Sequence, residues 1–327
     1  MLEEMNMTKL TDVAKYAGVS PTTVSRVLNN RGYISEKTKN KVHEAIEALN
    51  YHPNSIARSL GGKSTGLIGL IFYDTSHPFF GELISKLETK LFEKGYKTIL
   101  CNSANSPDKE RRYLDMLAGN KVDGIISGTH NLNIEEYKKI QAPIVSFDRN
   151  LASNIPVIGS DNFEGGKKAT NYLIDAGAKN IHIINSHPSS NNPTDERTLA
   201  YLEVMKEHNL PVHEHSLSFS MAPNIKRTII QQLLKTEKID GIFCTDDLTA
   251  IIVWETAQAL NLKDLKIVGY DGTDFVRNYF PMLTTIKQPI NDISDLLVET
   301  LINEINGGVN DDQAKSYQLP VDLIIGS

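Results

Sequence analysis

Two cysteines are all that the 327-residue chain contains. Cys101 and Cys244 both fall in apolar, strand-like runs, so there is no disulfide framework of the kind that staples small secreted folds. No apolar stretch approaches the roughly 18 residues of a membrane-spanning helix. The longest, Gly66 to Tyr73, is already interrupted by glycine. The N-terminal Met1-Leu-Glu-Glu-Met-Asn-Met is acidic and has neither the basic nor the apolar region of a secretion signal. A soluble cytoplasmic protein with no membrane contact is therefore expected. Hydrophobic content of 40% and charged content of 23% are those of an ordinary globular protein. The length suits two or three domains.

An excess of basic charge is also missing, since the net charge is −6. Its distribution is uneven. Residues 1–62 carry eight Lys/Arg against six Asp/Glu, a net of +2, and the remainder carries −8. A small basic module thus precedes a large acidic body, which points to a polyanionic partner at one end only.

Three short amphipathic helices are legible in that module. Leu10, Val13, Ala14 and Ala17 share one helical face, and Gly18 suits a left-handed stop. Ser20 followed by Pro21 reads as an N-cap and first helical position. The second helix buries Val24, Val27 and Leu28 and turns Thr22, Ser25 and Arg26 outward. A third carries the stripe Val42, Ala45, Ile46 and Leu49, with Ser35 as its cap. Two helices joined by Ala17-Gly-Val-Ser describe a helix-turn-helix. The second enters the major groove in that motif, so its exposed residues must read bases and its first turn must approach phosphates. Residues 54–60, between a proline turn and Gly61-Gly62, are too few for a stable isolated helix, and such a segment is expected to order only on binding.

Thr11-Asp-Val-Ala, Ala17-Gly-Val-Ser, Thr23-Val-Ser-Arg-Val-Leu-Asn and Tyr51-x-Pro-Asn-x-x-Ala-Arg-Ser-Leu together resemble the LacI/GalR family of bacterial repressors. The resemblance implies base contacts from Pro21, Thr22 and Arg26, phosphate and backbone contacts from Ser20, Thr23, Ser25 and Asn29, and a groove-facing Tyr33. It also implies a hinge helix at 54–60 that enters the minor groove in a dimer, with Leu60 as the wedge and Asn54 and Ala57 beside it. The expected organisation is a headpiece at 1–60, a linker at 61–65 and a core at 66–327. Gly62-Lys63-Ser64 mimics the end of a phosphate-binding loop. Ala57 stands where the first glycine belongs, and no apolar strand precedes it.

From Gly66 onward, short runs rich in Ile and Val alternate with helical stretches. The strand-like runs are 66–72, 96–101, 122–127, 143–147, 181–185, 241–244 and 267–270; the helical ones include 79–93, 109–119, 164–176, 224–236 and 248–260. Such alternation gives parallel sheets covered by helices. Val122-Asp-Gly-Ile-Ile and Ile239-Asp-Gly-Ile-Phe are near copies, which points to two similar halves. The expected fold is an all-α helix-turn-helix domain followed by an α/β two-subdomain core, like a periplasmic binding protein, with parallel sheets.

Ligands on such sheets bind at the carboxyl ends of strands, and two halves enclose a cleft. The residues that follow the strands are Tyr73–Phe80, Asp148-Arg149-Asn150, Ser160-Asp161, Asp246-Asp247 and Tyr270-Asp271, with Arg197 at a helix start. Carboxylates beside aromatic faces suit a sugar: carboxylates accept from hydroxyls, and rings cover C–H faces. Asp247, just before Leu248-Thr-Ala-Ile, reads as an N-cap. The resemblance assigns Phe79, Phe80, Asp148, Arg197, Phe219, Asp246 and Asp271 to the effector cleft, where Arg149 and Arg197 suit a phosphate or, equally, a neutral sugar. His213-Glu-His215 reads as exposed side chains, so no metal or other cofactor is expected, and no catalytic motif is present.

Lys9-Leu-Thr-Asp-Val-Ala, Gly32-Tyr-Ile-Ser-Glu-Lys-Thr and Pro143-Ile-Val-Ser-Phe-Asp-Arg-Asn-Leu-Ala are most similar to the branch of the family that controls sucrose use. That resemblance implies a homodimer on a palindromic operator, with sucrose, its 6-phosphate or fructose as effector. The alternatives are a regulator controlled by a partner phosphoprotein and a sugar-binding protein with no DNA role.

Overall fold

The computed structural model describes residues 8–28, 31–51, 64–129, 131, 134–186, 193–307 and 315–327. The chain separates into two compact units, Met1–Thr65 and Gly66–Ser327. Asn29, the hinge residues Asn54, Ala57 and Leu60, and positions 61–63 of the linker lie outside the described residues.

In the first unit, helices α1 (Leu10–Ala17), α2 (Pro21–Leu28) and α3 (Glu36–Ala48) form where the apolar spacing places them. Gly18 ends α1 at a φ of 67°, a conformation that costs glycine nothing. Ser20 Oγ accepts the Thr23 N–H at 3.1 Å, and Ser35 Oγ accepts the Thr38 N–H at 3.4 Å, so both expected caps are made. Val13, Ala14, Ala17, Val24, Val42 and Ala45 form the buried core, closed by Tyr51.

In the second unit the strands are β1 (Leu67–Phe72), β2 (Lys97–Asn102), β3 (Gly124–Gly128), β4 (Ile144–Phe147), β5 (Val157–Ser160), β6 (Ile181–Asn185), β7 (His213–Ser216), β8 (Gly241–Cys244), β9 (Lys266–Asp271), β10 (Thr284–Lys287), β11 (Ser316–Leu319) and β12 (Asp322–Ile324). Among the described residues they make two six-stranded sheets, ordered β11-β5-β4-β3-β1-β2 and β12-β10-β9-β8-β6-β7. All neighbouring pairs are parallel except β10 with β12. Helices Pro78–Glu93 and Ile290–Ile305 pack together on the first sheet through Leu83, Leu87, Ile293 and Leu297. Helices Asn162–Asp175 and Asp195–Glu207 pair against the second.

The near-copy segments do the same work in each half. Asp123 Oδ2 accepts the Gly66 N–H at 2.7 Å, just before β1. Asp240 Oδ1 accepts the Asn180 N–H at 2.8 Å, just before β6. Each aspartate thus ties the start of its half's first strand to the strand beside it, and the following glycine opens that neighbouring strand, β3 or β8.

The chain passes between the halves after Ser160, at Gln288-Pro289 and at Pro320-Val321, so β11 and helix Ile290–Ile305 return to the first half. Lys168 Nζ donates to the Val321 carbonyl at 2.7 Å and braces the last of these crossings.

Candidate functional site

Two surfaces carry the residues singled out in the sequence, one in each unit. On the first, Ser20, Pro21, Thr22 and Arg26 are exposed, Thr23 and Ser25 are half-buried, and Tyr33 is 94% exposed. The short spacing of Val24, Val27 and Leu28 turns the apolar face of α2 inward, which leaves its N-terminal end and outer face to solvent. Arg26 Nε donates to the Arg31 carbonyl at 3.4 Å, a long contact. The guanidinium lies over Gly32, where a Cβ would come within 2.3 Å of its terminal nitrogen. Gly32 therefore gives Arg26 a resting place on the turn that follows α2.

On the second unit, Phe79, Phe80, Asp148, Arg149, Arg197, Phe219, Asp246 and Asp271 all line one cavity of about 310 Å³ between the halves. This is at the small end of the roughly 300–1,000 Å³ of ligand pockets. One wall is aromatic. Phe79 and Phe80, in the first turn of helix Pro78–Glu93, meet edge to face at 5.5 Å, and Phe79 also lies 5.6 Å from Phe147. Phe219, from the second half, packs across the cleft on Tyr73 at 5.5 Å and on His77 at 4.9 Å.

The opposite wall is a polar network rooted in the crossings. Arg197 donates from Nε to Asn162 Oδ1 at 2.7 Å and from Nη1 to the Thr245 carbonyl at 2.6 Å. Its guanidinium carbon stands 3.5 Å over the Tyr270 ring and Nη1 lies 4.0 Å from Asp271. Asn162 Nδ2 donates to Asp148 Oδ1 at 3.3 Å. Gln288 Nε2 donates to Asp271 Oδ1 at 2.8 Å, and its Oε1 accepts from Ser160 Oγ at 2.6 Å. Ser160 and Gln288 are themselves crossing residues. This close approach needs Gly165 and Gly166: a Cβ there would come 2.3 Å from the Tyr270 hydroxyl and 2.6 Å from the Arg197 carbonyl.

Asp148 follows β4 and Asp271 ends β9, with φ of 61° and 124°, left-handed values that cost a non-glycine residue on the order of 1–3 kcal/mol. Such strain aims both carboxyls into the cavity at the expense of local stability. Burial raises both carboxyls above the usual range, with Arg197 opposing it. Asp271 is pushed up to about 7, and at Asp148 the Arg149 guanidinium opposes the rise as well.

The pH dependence follows from the sign of that shift. Folded Asp271 holds its proton more tightly than an unfolded aspartate near 3.9, so its contribution to stability is complete in acid and is lost as pH rises towards 7. Denaturation of the wild type from pH 4 to 7 should show this decline, with a slope of up to about 1.4 kcal/mol per pH unit from this group. Asp271→Asn should flatten it; an unchanged slope would mean that the carboxyl is ionised throughout.

One reading needs correction. Asp246, not Asp247, caps helix Asp247–Ala259: its carboxylate accepts the Thr249 N–H at 2.7 Å. Asp247 is buried and accepts from Thr285 Oγ1 at 2.6 Å and the Gly272 N–H at 2.8 Å, tying the helix to β9 and β10. The preference of aspartate for caps does not say which of two adjacent aspartates fills the place.

The cavity also holds residues that the sequence reading left out. Gln288 follows β10, too short and threonine-rich a strand to read as one, and His77 was hidden among aromatics. His77 is buried, yet neither ring nitrogen has a hydrogen-bond partner among the described residues, and burial lowers its basicity against the pull of Asp246 and Asp74. A neutral imidazole beside the aromatic wall offers a donor and an acceptor to whatever enters.

Two family models match the chain. The model of bacterial regulatory proteins of the lacI family matches residues 9–54, and that of periplasmic binding proteins and the sugar binding domain of the LacI family matches residues 65–325. The chain is 53% identical to the sucrose operon repressor of Streptococcus mutans serotype c, covering 97% of this chain and 98% of that one. It is 48% identical to the sucrose operon repressor of Lactococcus lactis subsp. lactis, covering 98% and 99%. The Lac repressor dimer bound to operator and the anti-inducer ONPF has the same fold, with a TM-score of 0.84 at 23% identity and 98% of each chain covered. A LacI-type regulator from Alkaliphilus metalliredigens complexed with D-xylulofuranose superposes with a TM-score of 0.72 at 28% identity, covering 80% of this chain and 98% of that one.

Proposed function

The chain belongs to the lacI family of bacterial regulatory proteins, and from that premise we propose that it represses a sucrose-utilisation operon as a cytoplasmic homodimer on a palindromic operator. It is a DNA-binding repressor and not an enzyme. Residues 1–60 serve as headpiece, 61–65 as linker and 66–327 as effector and dimerisation core. The observation that carries the effector reading is the convergence of three carboxylates, two guanidinium groups and an aromatic wall on one cavity.

In this reading Asp148, Asp246 and Asp271 accept from sugar hydroxyls, Arg197 donates, and Phe79, Phe80 and Phe219 cover the C–H faces. Arg149, buried with an Nε that has no partner among the described residues, supplies a cationic donor for a 6-phosphate. On DNA, Pro21, Thr22 and Arg26 read bases, Ser20, Thr23, Ser25 and Asn29 hold the backbone, and Tyr33 faces the groove. Leu60, with Asn54 and Ala57 alongside, wedges into the minor groove.

The mechanism is linkage. A sugar bound between the halves pulls on Asp271, Arg197 and Asn162, which are bonded to the crossings through Gln288 and Ser160. In this reading the closed arrangement holds the operator less tightly, so the sugar acts as an inducer. A repressor controlled by a phosphoprotein has no need of this cavity.

Thermal denaturation of the full chain against sucrose, its 6-phosphate, fructose and other sugars tests the reading. A true effector at about 100 times its Kd adds roughly 2.7 kcal/mol, or some 5–10 °C in melting temperature for a core of this size. No shift with any sugar or sugar phosphate, together with a shift on adding a phosphoprotein, would overturn it.

A further inference from the structure

We propose that His182, His215 and Glu237 form a binding site for one divalent transition-metal ion of the zinc class, at the outer edge of the second sheet and separate from the effector cleft. The donors come from three places in the chain. His182 lies in β6, His215 lies in the edge strand β7, and Glu237 follows helix Pro223–Thr236. His182 Nδ1 faces His215 Nε2 at 2.8 Å, and Glu237 Oε2 stands 3.8 Å from the same His182 nitrogen. All three donor atoms lie within 4.8 Å of one another.

Zinc binds imidazole nitrogen and carboxylate oxygen at about 2.0–2.2 Å, which puts tetrahedral donors about 3.3 Å apart. The Glu237 contact is already close to that spacing. The two imidazoles reach it if His215, which is only partly buried, retreats by about half an ångström. Two imidazoles and one carboxylate, with the fourth position open, match the preferences of zinc better than those of calcium or magnesium. The open side exists: a cavity of about 570 Å³ lined by His215, Glu237, Leu217 and Ile184 gives the ion a path and room for a water.

A plain hydrogen bond between two histidines does not account for the placement of His182. Its side chain is 1% exposed, in a strand otherwise made of Ile181, Ile183, Ile184 and Asn185. A buried polar ring there is costly unless something uses it. His213, directly opposite in register, stacks on it at 4.3 Å with planes 11° apart and so fixes the direction of the Nδ1 edge. In the sequence His213-Glu-His215 has no third ligand nearby, which is why it reads as surface. Sheet register brings His182 to it. An ion here would brace β7, which leads within three residues to Ser218 and Phe219 in the cleft wall.

The test is calorimetric titration of Zn²⁺ into the chelator-stripped full chain with any affinity tag removed. One ion per chain is expected. Ligand orientation by outer-shell groups alone is worth about 10–100-fold in affinity, so His215→Ala and Glu237→Gln should each weaken binding at least tenfold. Glu237 is 42% exposed, so that variant should fold even if another does not. His213→Ala removes a stacked ring but no ligand and should keep one ion per chain. Cobalt(II) should bind in place of zinc and give the intense visible bands of a four-coordinate site. The absence of saturable uptake, or equal affinity in wild type, His215→Ala and Glu237→Gln, would overturn the proposal and leave the pair as a plain hydrogen bond.

Discussion

Replacing Arg197 by alanine is expected to cost the core about 3–5 kcal/mol, because it leaves buried carboxyl groups without their cation. The melting temperature should fall by on the order of 10 °C. The same change should remove the thermal response to the effector. Arg197 is 5% exposed and bonds Asn162 and the Thr245 carbonyl while covering Tyr270 and facing Asp271. Arg197→Lys keeps the charge but loses the planar two-sided geometry, so it should recover much of the stability without recovering the response. An alanine variant that melts with the wild type and still responds to the effector would remove Arg197 from both roles. The helix-turn-helix residues belong to the other compact unit, so operator binding without effector should change little at temperatures where the core is folded.

The second large effect is expected at Arg26. Arg26→Ala should weaken operator binding by about 1–3 kcal/mol, roughly 5–150-fold, and relax the choice of base at one position in each half-site. Arg26 is the exposed guanidinium on the outer face of α2, and its 3.4 Å bond to the Arg31 carbonyl is weak enough to give up for a guanine edge. Binding to a panel of operators, each changed at one base pair, separates two roles. Loss of discrimination at one position identifies a base reader. A uniform loss, with a shallower dependence on salt, would make Arg26 a phosphate contact instead.

The parts legible in the sequence are those whose signal is local. Ile181–Asn185 and Gly241–Cys244 emerge as strands with the bounds read from their apolar runs, because buried parallel strands show little else. Ser20 and Ser35 announce their helices through capping chemistry that depends on three neighbouring residues. Several of the strands that escaped reading are short and polar. His213–Ser216 and Ser316–Leu319 are sheet edges, and Thr284–Lys287 ends at a crossing. Which half receives helix Ile290–Ile305 is decided by packing against Pro78–Glu93, about two hundred residues away in sequence, and no periodicity carries that.

The grouping of the cavity residues was legible for a similar reason. Residues at the carboxyl ends of parallel strands must meet at one end of a sheet, so the sequence alone groups Asp148, Asp246 and Asp271. The bonds that join them to the crossings, through Asn162, Ser160 and Gln288, depend on side-chain reach and were not legible. The pairing of His182 with His215 required the register of β6 with β7.

The central claim is that filling this cavity changes the hold on DNA. Its most direct test is a fluorescence anisotropy titration of a labelled palindromic operator with the full chain, at fixed salt, with and without the sugar that stabilises the core. Wild type and Arg197→Lys are compared. Coupling of about 1–3 kcal/mol should weaken wild-type operator binding by roughly 5–150-fold when the sugar is saturating. In Arg197→Lys the two curves should coincide. Wild-type curves that also coincide, at a sugar concentration that demonstrably raises the melting temperature, would contradict the account: the cavity would bind sugar without governing the operator.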